Sequence, residues 1–149
     1  MADSKSHRSA EVWLRESWLP ATFHQTFSKR RLDLISGGQF EFDGVSADRT
    51  VAVCISTNGG VRANGGKAGT KLHKIRSDAL FLLLTTIERR VVVFADKAMY
   101  ELCANEAKNG RFPLNIELLY AELPSDMIAE LEASRAFAAA EVTPSLPVA

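Results

Sequence analysis

Hydrophobic positions change period along this chain, from a helical spacing near the N-terminus to alternation in the middle, and then to both in turn. From Ala10 to Phe27, apolar residues at Val12, Trp13, Leu14, Leu19, Phe23 and Phe27 predict helix, with Pro20 as a break or kink. Ser9 is placed to cap that helix, and Glu11 to favour its N-terminal dipole. Residues 1–9 lack the pattern and are expected as a disordered tail. Lys29-Arg30-Arg31 reads as a short basic link, Leu32 to Ile35 as a strand, and Ser36-Gly37-Gly38 as a turn. Phe40, Phe42 and Val45 alternate with polar residues in a second strand. Thr50 to Thr57, β-branched and mostly apolar, predicts a central strand covered on both faces.

Asn58 to Thr70 holds five glycines and is predicted to be a mobile loop. Helical spacing returns at Leu72, Ile75, Ala79, Leu82, Leu83 and Ile87, giving a helix over Lys71 to Glu88 with Lys71, Lys74 and Asp78 on its other side. Val91 to Ala95 is a short buried strand. Asp96 caps a helix from Lys97 to Asn109 that Gly110 ends. Leu114 to Leu123 reads as a strand, and Pro124-Ser125-Asp126 opens a last helix to about Glu141. The order α, β-β-β, α, β, α, β, α predicts an α/β domain, bordering on α+β, with a mixed sheet. One domain over 10–141 is expected, with a flexible tail over 142–149.

Composition adds limits. At 149 residues, 46% hydrophobic and 24% charged, the chain has the size and make-up of one globular domain. The N-terminus is polar and lacks the apolar region of a secretory signal. The longest apolar run, Ala79 to Leu84, is too short for a bilayer, so no membrane partner is expected. Cys54 and Cys103 have neither metal-ligand spacing nor the number for a disulfide framework, which makes a reducing, cytoplasmic location the default. Small residues in the last helix, Ala129, Ala133 and Ala136 among them, suit close packing and leave a homo-oligomer open.

The net charge of zero hides an asymmetry. No acid lies between Asp48 and Asp78, an interval that holds Arg49, Arg62, Lys67, Lys71, Lys74 and Arg76; from Val91 onward acids outnumber bases. A basic middle of this kind suits a nucleic-acid backbone, with Arg62, Lys67, Lys71, Lys74 and Arg76 as contacts. The Gly-rich loop joins strand to helix, as a phosphate-binding loop does, but the Walker spacing fails: Val61 stands where Gly is needed and Ala68 where Ser or Thr is. A nucleotide- or small-molecule-binding domain therefore stays as an alternative.

The hairpin Gln39 to Ser56 carries the candidate chemistry. Asp43 ends one strand, and Cys54 and Ser56 project from one face of the next. Metal-dependent phosphodiester cleavage needs carboxylates for a hard cation and a nearby lysine for the attacking water. Phe42-Asp43-Gly44-Val45, the strand Val51 to Ser56 and the run from Lys74 to Leu83 resemble the PD-(D/E)XK, or restriction-endonuclease-like, nuclease superfamily. The resemblance spans about Glu11 to Glu122, mostly as an order of elements. It implies a mixed sheet flanked by helices, a DNA substrate ahead of RNA, and Mg²⁺ if the protein is active. The first metal carboxylate would be Asp43, the second would fall on Cys54 and the lysine on Ser56. Both of these depart from the pattern, since a thiol is a poor Mg²⁺ ligand and Ser carries no cation.

The superfamily offers substitutes. Lys71 or Lys74 can supply the lysine from the following helix, with Asp78 as a distant acid; Glu16, Glu11 or Glu41 can supplement the metal site. Without them the frame would bind nucleic acid with impaired catalysis, or serve as a non-catalytic protein-interaction or assembly module. Cys54 also admits a nucleophile reading, set against that of a buried, inert thiol.

Overall fold

The computed structural model describes residues 4–60 and 69–142. Helix α1 (Ser4–Trp13) runs into a π-helical turn (Leu14–Trp18) and then a short helix α2 (Leu19–Phe23). Strands β1 (Phe27–Asp33), β2 (Gln39–Ser46) and β3 (Val51–Ser56) follow, then α3 (Gly69–Leu83), β4 (Arg89–Phe94), α4 (Lys97–Lys108), β5 (Glu117–Tyr120) and α5 (Ser125–Val142). The predicted α/β class, with a mixed sheet flanked by helices, is what the chain forms.

The strands lie in the order β1-β2-β3-β4-β5. β1, β2 and β3 are successively antiparallel, whereas β3, β4 and β5 are parallel. Alternate residues of β3 and β4 enter two separate cores. On one face Phe42, Ala52, Cys54, Val92 and Phe94 pack with Leu72, Ile75, Ala79 and Leu82 of α3 and with Met99 and Cys103 of α4. On the other, Val51, Val53, Ile55, Val91 and Val93 pack with Ala10, Leu14 and Leu19 from the N-terminal helices and Leu131 of α5. Burying an apolar side chain contributes about 1.5–3 kcal/mol, so both faces of the sheet add to the stability of a three-layer domain. The uniformly buried β3 is the doubly covered strand expected of its Val/Ile-rich sequence.

Several boundaries move. The first helix starts at Ser4, not near Ala10, so Ser9 and Glu11 lie inside it, and residues 4–9 are not a tail. Ser6 and Ala10 are buried there, so the tertiary contact compensates for a weakly apolar sequence. Pro20 sits in the first turn of α2, directly after the π-turn, in a backbone that stays right-handed helical through Trp18 and Leu19. The basic run Lys29-Arg30-Arg31 is no link but the middle of β1, and the strand expected at Leu32 to Ile35 is the end of it. An exposed edge strand has no reason to alternate apolar and polar residues, so periodicity missed it. The Asp96 cap and the Gly110 stop hold as expected: Asp96 accepts from Met99 N at 2.9 Å, and Gly110 has φ of 74°. The Gly-rich loop falls largely on residues 61–68, outside the described residues, as does the tail from 143.

Candidate functional site

Between Ser28↔Val45 and Arg30↔Phe42, three steps along β2 match two along β1, so β2 carries an extra residue at Asp43-Gly44. Such a bulge bends a strand and re-aims its side chains. Here the β2–β3 ladder registers Gly44 with Val53 and Val45 with Ala52, and Asp43 lies at its end. The Ile55 backbone N–H then donates to Asp43 Oδ2 at 2.7 Å, so the carboxylate itself joins the two strands. Gly44 fits this kink because a Cβ there would approach Leu19 Cδ1 to 3.1 Å.

α3 brings two more charges to this place. Lys74 Nζ donates to Asp78 Oδ2 at 3.1 Å, one helical turn along. Asp78 is 7% exposed, an unusual burial for an acid, which explains why a lysine accompanies it. Asp43, Cys54, Lys74 and Asp78 lie within one another's electrostatic reach. Burial pushes the Asp43 carboxyl up to about 6, assisted by Glu11 and Asp78 and opposed by the Ile55 N–H and Lys74. Burial also raises Asp78, against the pull of Lys74. Burial works against the Lys74 charge, but Asp78, with Asp43 adding to it, outweighs burial and raises that ammonium. The Cys54 thiol stands well above its ordinary range through burial, then Asp78 and Asp43, so it is held neutral and unreactive.

The π-turn adds a brace. Arg15 Nη1 donates to Glu11 Oε2 at 3.1 Å and to the Asp43 carbonyl oxygen at 3.2 Å. Widening of a helix by one residue often accompanies a functional constraint, and here the widened turn carries the arginine that holds the bulge. Lys29 of β1 reaches the same Glu11 at 3.8 Å and Glu41 at 3.9 Å.

The residues named from sequence thus separate. Asp43, Cys54 and Lys74 come together, and Asp78 joins them as more than a distant acid. Ser56 lies two residues beyond Cys54, buried, with its Oγ lacking a hydrogen-bond partner among the described residues. Lys71 is exposed in the first turn of α3. Arg76 is turned to α4, 3.4 Å from Glu106, so it does not extend the Lys74 group. Arg62 and Lys67 lie outside the described residues. Of the two first-helix acids, Glu11 acts on Asp43, whereas Glu16 lines a groove with Arg8, Trp13 and Met127. Glu41 is exposed beside Lys29. Sequence reasoning missed Arg15; its signal was the i, i+4 spacing from Glu11.

A second cluster closes the C-terminal ends of β3 and β4. Arg135 of α5 donates to the Thr57 carbonyl oxygen at 2.7 Å and to Asp96 Oδ1 at 3.2 Å. Asp96 Oδ2 accepts from Gly60 N at 2.9 Å, and His7 Nδ1 lies 2.7 Å from Thr57 Oγ1. These bonds fix the start of the loop that leaves β3.

For a Mg²⁺ ion the site offers Asp43 and Asp78, each with one carboxylate oxygen already engaged, and no third hard ligand at the Cys54 position. That ion takes one or two carboxylates as hard oxygen ligands. No group of three or more His, Cys, Asp or Glu side chains that could hold a metal ion lies among the described residues. No described helix is long and apolar enough to cross a membrane. No family model, no curated protein and no solved structure matches the chain.

Proposed function

We propose that this chain is a nucleic-acid-binding domain on a restriction-endonuclease-like frame, with its metal-dependent hydrolysis impaired. The helix, three-strand meander, helix and parallel strand in that order support the frame. The observation that carries the binding reading is the half-exposed lysine of the α3 pair. The Lys74 side chain is 58% exposed while its partner Asp78 is 10% exposed, so the lysine is the solvent-facing member of a pair whose acid is turned inward. Lys71 adds a second exposed cation one turn earlier. Cations of this kind contact phosphates without reading sequence. The neutral Cys54 in place of a second carboxylate supports impaired hydrolysis.

Fluorescence anisotropy with labelled duplex DNA and with RNA, over a range of salt, tests the reading. Wild type is expected to bind, more weakly as salt rises. Lys71→Ala with Lys74→Ala weakens binding, while Asp43→Asn leaves it intact. An absence of salt-dependent binding overturns the reading in favour of a protein-interaction module. Cleavage in Mg²⁺ or Mn²⁺ that Asp43→Ala abolishes overturns the impaired chemistry in favour of a relocated active site.

A further inference from the structure

Strand β1 is the sheet's outer edge next to β2, and its residues Ser28, Lys29, Arg30 and Arg31 are all exposed. Successive residues of a strand project to opposite faces, so Lys29 and Arg31 charge one face and Arg30 the other. Arg30 and Arg31 form no ion pair among the described residues, and the Lys29 contacts with Glu11 and Glu41, at 3.8 and 3.9 Å, are long. Glu11 is also the acid that holds Arg15 against the Asp43 carbonyl, so Lys29 ties the basic edge to the candidate site. Protection of an edge from pairing with another chain needs charge, but it does not need arginine in particular or a tie to a site. Arginine's planar fork matches phosphate oxygens, and its weak hydration lowers the cost of giving up water.

We infer that Lys29, Arg30 and Arg31 on β1 form a second phosphate-contacting surface along the sheet edge, which holds the backbone of a nucleic acid beside the candidate site. This rests on the nucleic-acid reading above. The chemistry recognised is a row of phosphodiesters rather than any base. Each phosphate neutralised in duplex DNA contributes about 0.9 to the slope of log K against log salt.

The test is a salt titration of binding to a labelled random-sequence duplex, for wild type and for Lys29→Ala/Arg30→Ala/Arg31→Ala. The variant is expected to lose about two to three from the magnitude of the slope, and at least about tenfold in affinity at low salt. Arg30→Lys with Arg31→Lys is expected to keep most of the slope, because the charge remains. Should the triple variant not fold, Arg30→Gln with Arg31→Gln gives the same readout, with a loss of about two. If wild type binds and the neutralised variants bind with its slope and affinity, the inference is overturned while the function proposed above stands. Self-association of those variants, seen by sedimentation, together with an unchanged slope would make the strand an edge guard alone. If wild type binds no nucleic acid, the function and the inference fall together.

Discussion

Asp43 Oδ2 and the Ile55 N, 2.7 Å apart, join β2 to β3 just past the end of their ladder, at the residue where β2 bulges against β1. A buried backbone N–H has to be paired, so the carboxylate serves the fold whatever else it does. It does so at a cost. Burial, Glu11 and Asp78 lift its pKa to about 6. The folded state therefore holds the Asp43 proton more tightly than the unfolded chain does. This group's contribution to stability is full below about pH 4, and it is lost as pH rises through about 6. Asp43→Asn keeps an acceptor oxygen and removes the charge. It should stabilise the protein at pH 8 relative to pH 4, by at most about 3 kcal/mol, as read by urea unfolding at each pH.

Asp43→Ala separates the hydrogen bond from the charge. It relieves the same buried charge but leaves the Ile55 N–H without its partner. Relative to Asp43→Asn it should be less stable by about 1–3 kcal/mol at every pH. Amide exchange at Ile55 should quicken in Ala and not in Asn. Equal stability of the two variants would show that water replaces the carboxylate there.

Lys74→Met removes the cation from a pair whose acid is buried. Asp78 is then left in apolar surroundings, and Asp43 loses an attractive neighbour. Both carboxyls should titrate higher in a carbon-detected NMR titration. The variant should be destabilised by about 1–3 kcal/mol at pH 8 and by less at low pH, where Asp78 is protonated. Unmoved carboxyl titrations would place the lysine in solvent, away from both acids.

Gly60→Ala probes the loop anchor. An added Cβ would stand 2.4 Å from Met99 N and 2.5 Å from the Ala98 carbonyl carbon, both of them backbone atoms. Either the loop or the N-terminus of α4 has to shift, which strains the bond from Gly60 N to Asp96 Oδ2. A loss of about 1–3 kcal/mol is expected in urea unfolding. Arg135→Gln, which loses the bonds to Thr57 and Asp96, should cost a similar amount, and the two should not add because they act on one network.

Legibility in the sequence followed the physical source of each feature. The α3 stripe, the Val-rich β3 and β4, and the Asp96 cap follow from burial and local hydrogen bonding, which leave a pattern in neighbouring residues. β1 left none, because an exposed edge strand buries too little to fix a period. The early start of α1 was hidden as well, since Ser6 and Ala10 are buried through contacts with distant elements. At the candidate site, Asp43 and Lys74 were readable as residue types near a turn and on a helix. That Glu11 rather than Glu16 acts on Asp43 depends on the π-turn and on the bulge, and neither leaves a mark in a hydropathy pattern.

The two cysteines give the last prediction. Cys54 is 1% exposed and Cys103 0%, so neither thiol meets solvent. Burial, with Asp78 and Asp43 beside it, holds Cys54 well above the ordinary thiol range, and burial with Glu106 pushes Cys103 to about 11. The attacking species in thiol chemistry is the thiolate, and both sites suppress it. A disulfide reagent at pH 8 should therefore leave the native protein unlabelled over a period in which urea-unfolded protein yields two thiols per chain. Cys54→Ser should preserve nucleic-acid binding. Rapid labelling of Cys54 in the folded protein, with binding lost as the label enters, would make this thiol part of the working surface rather than of the core.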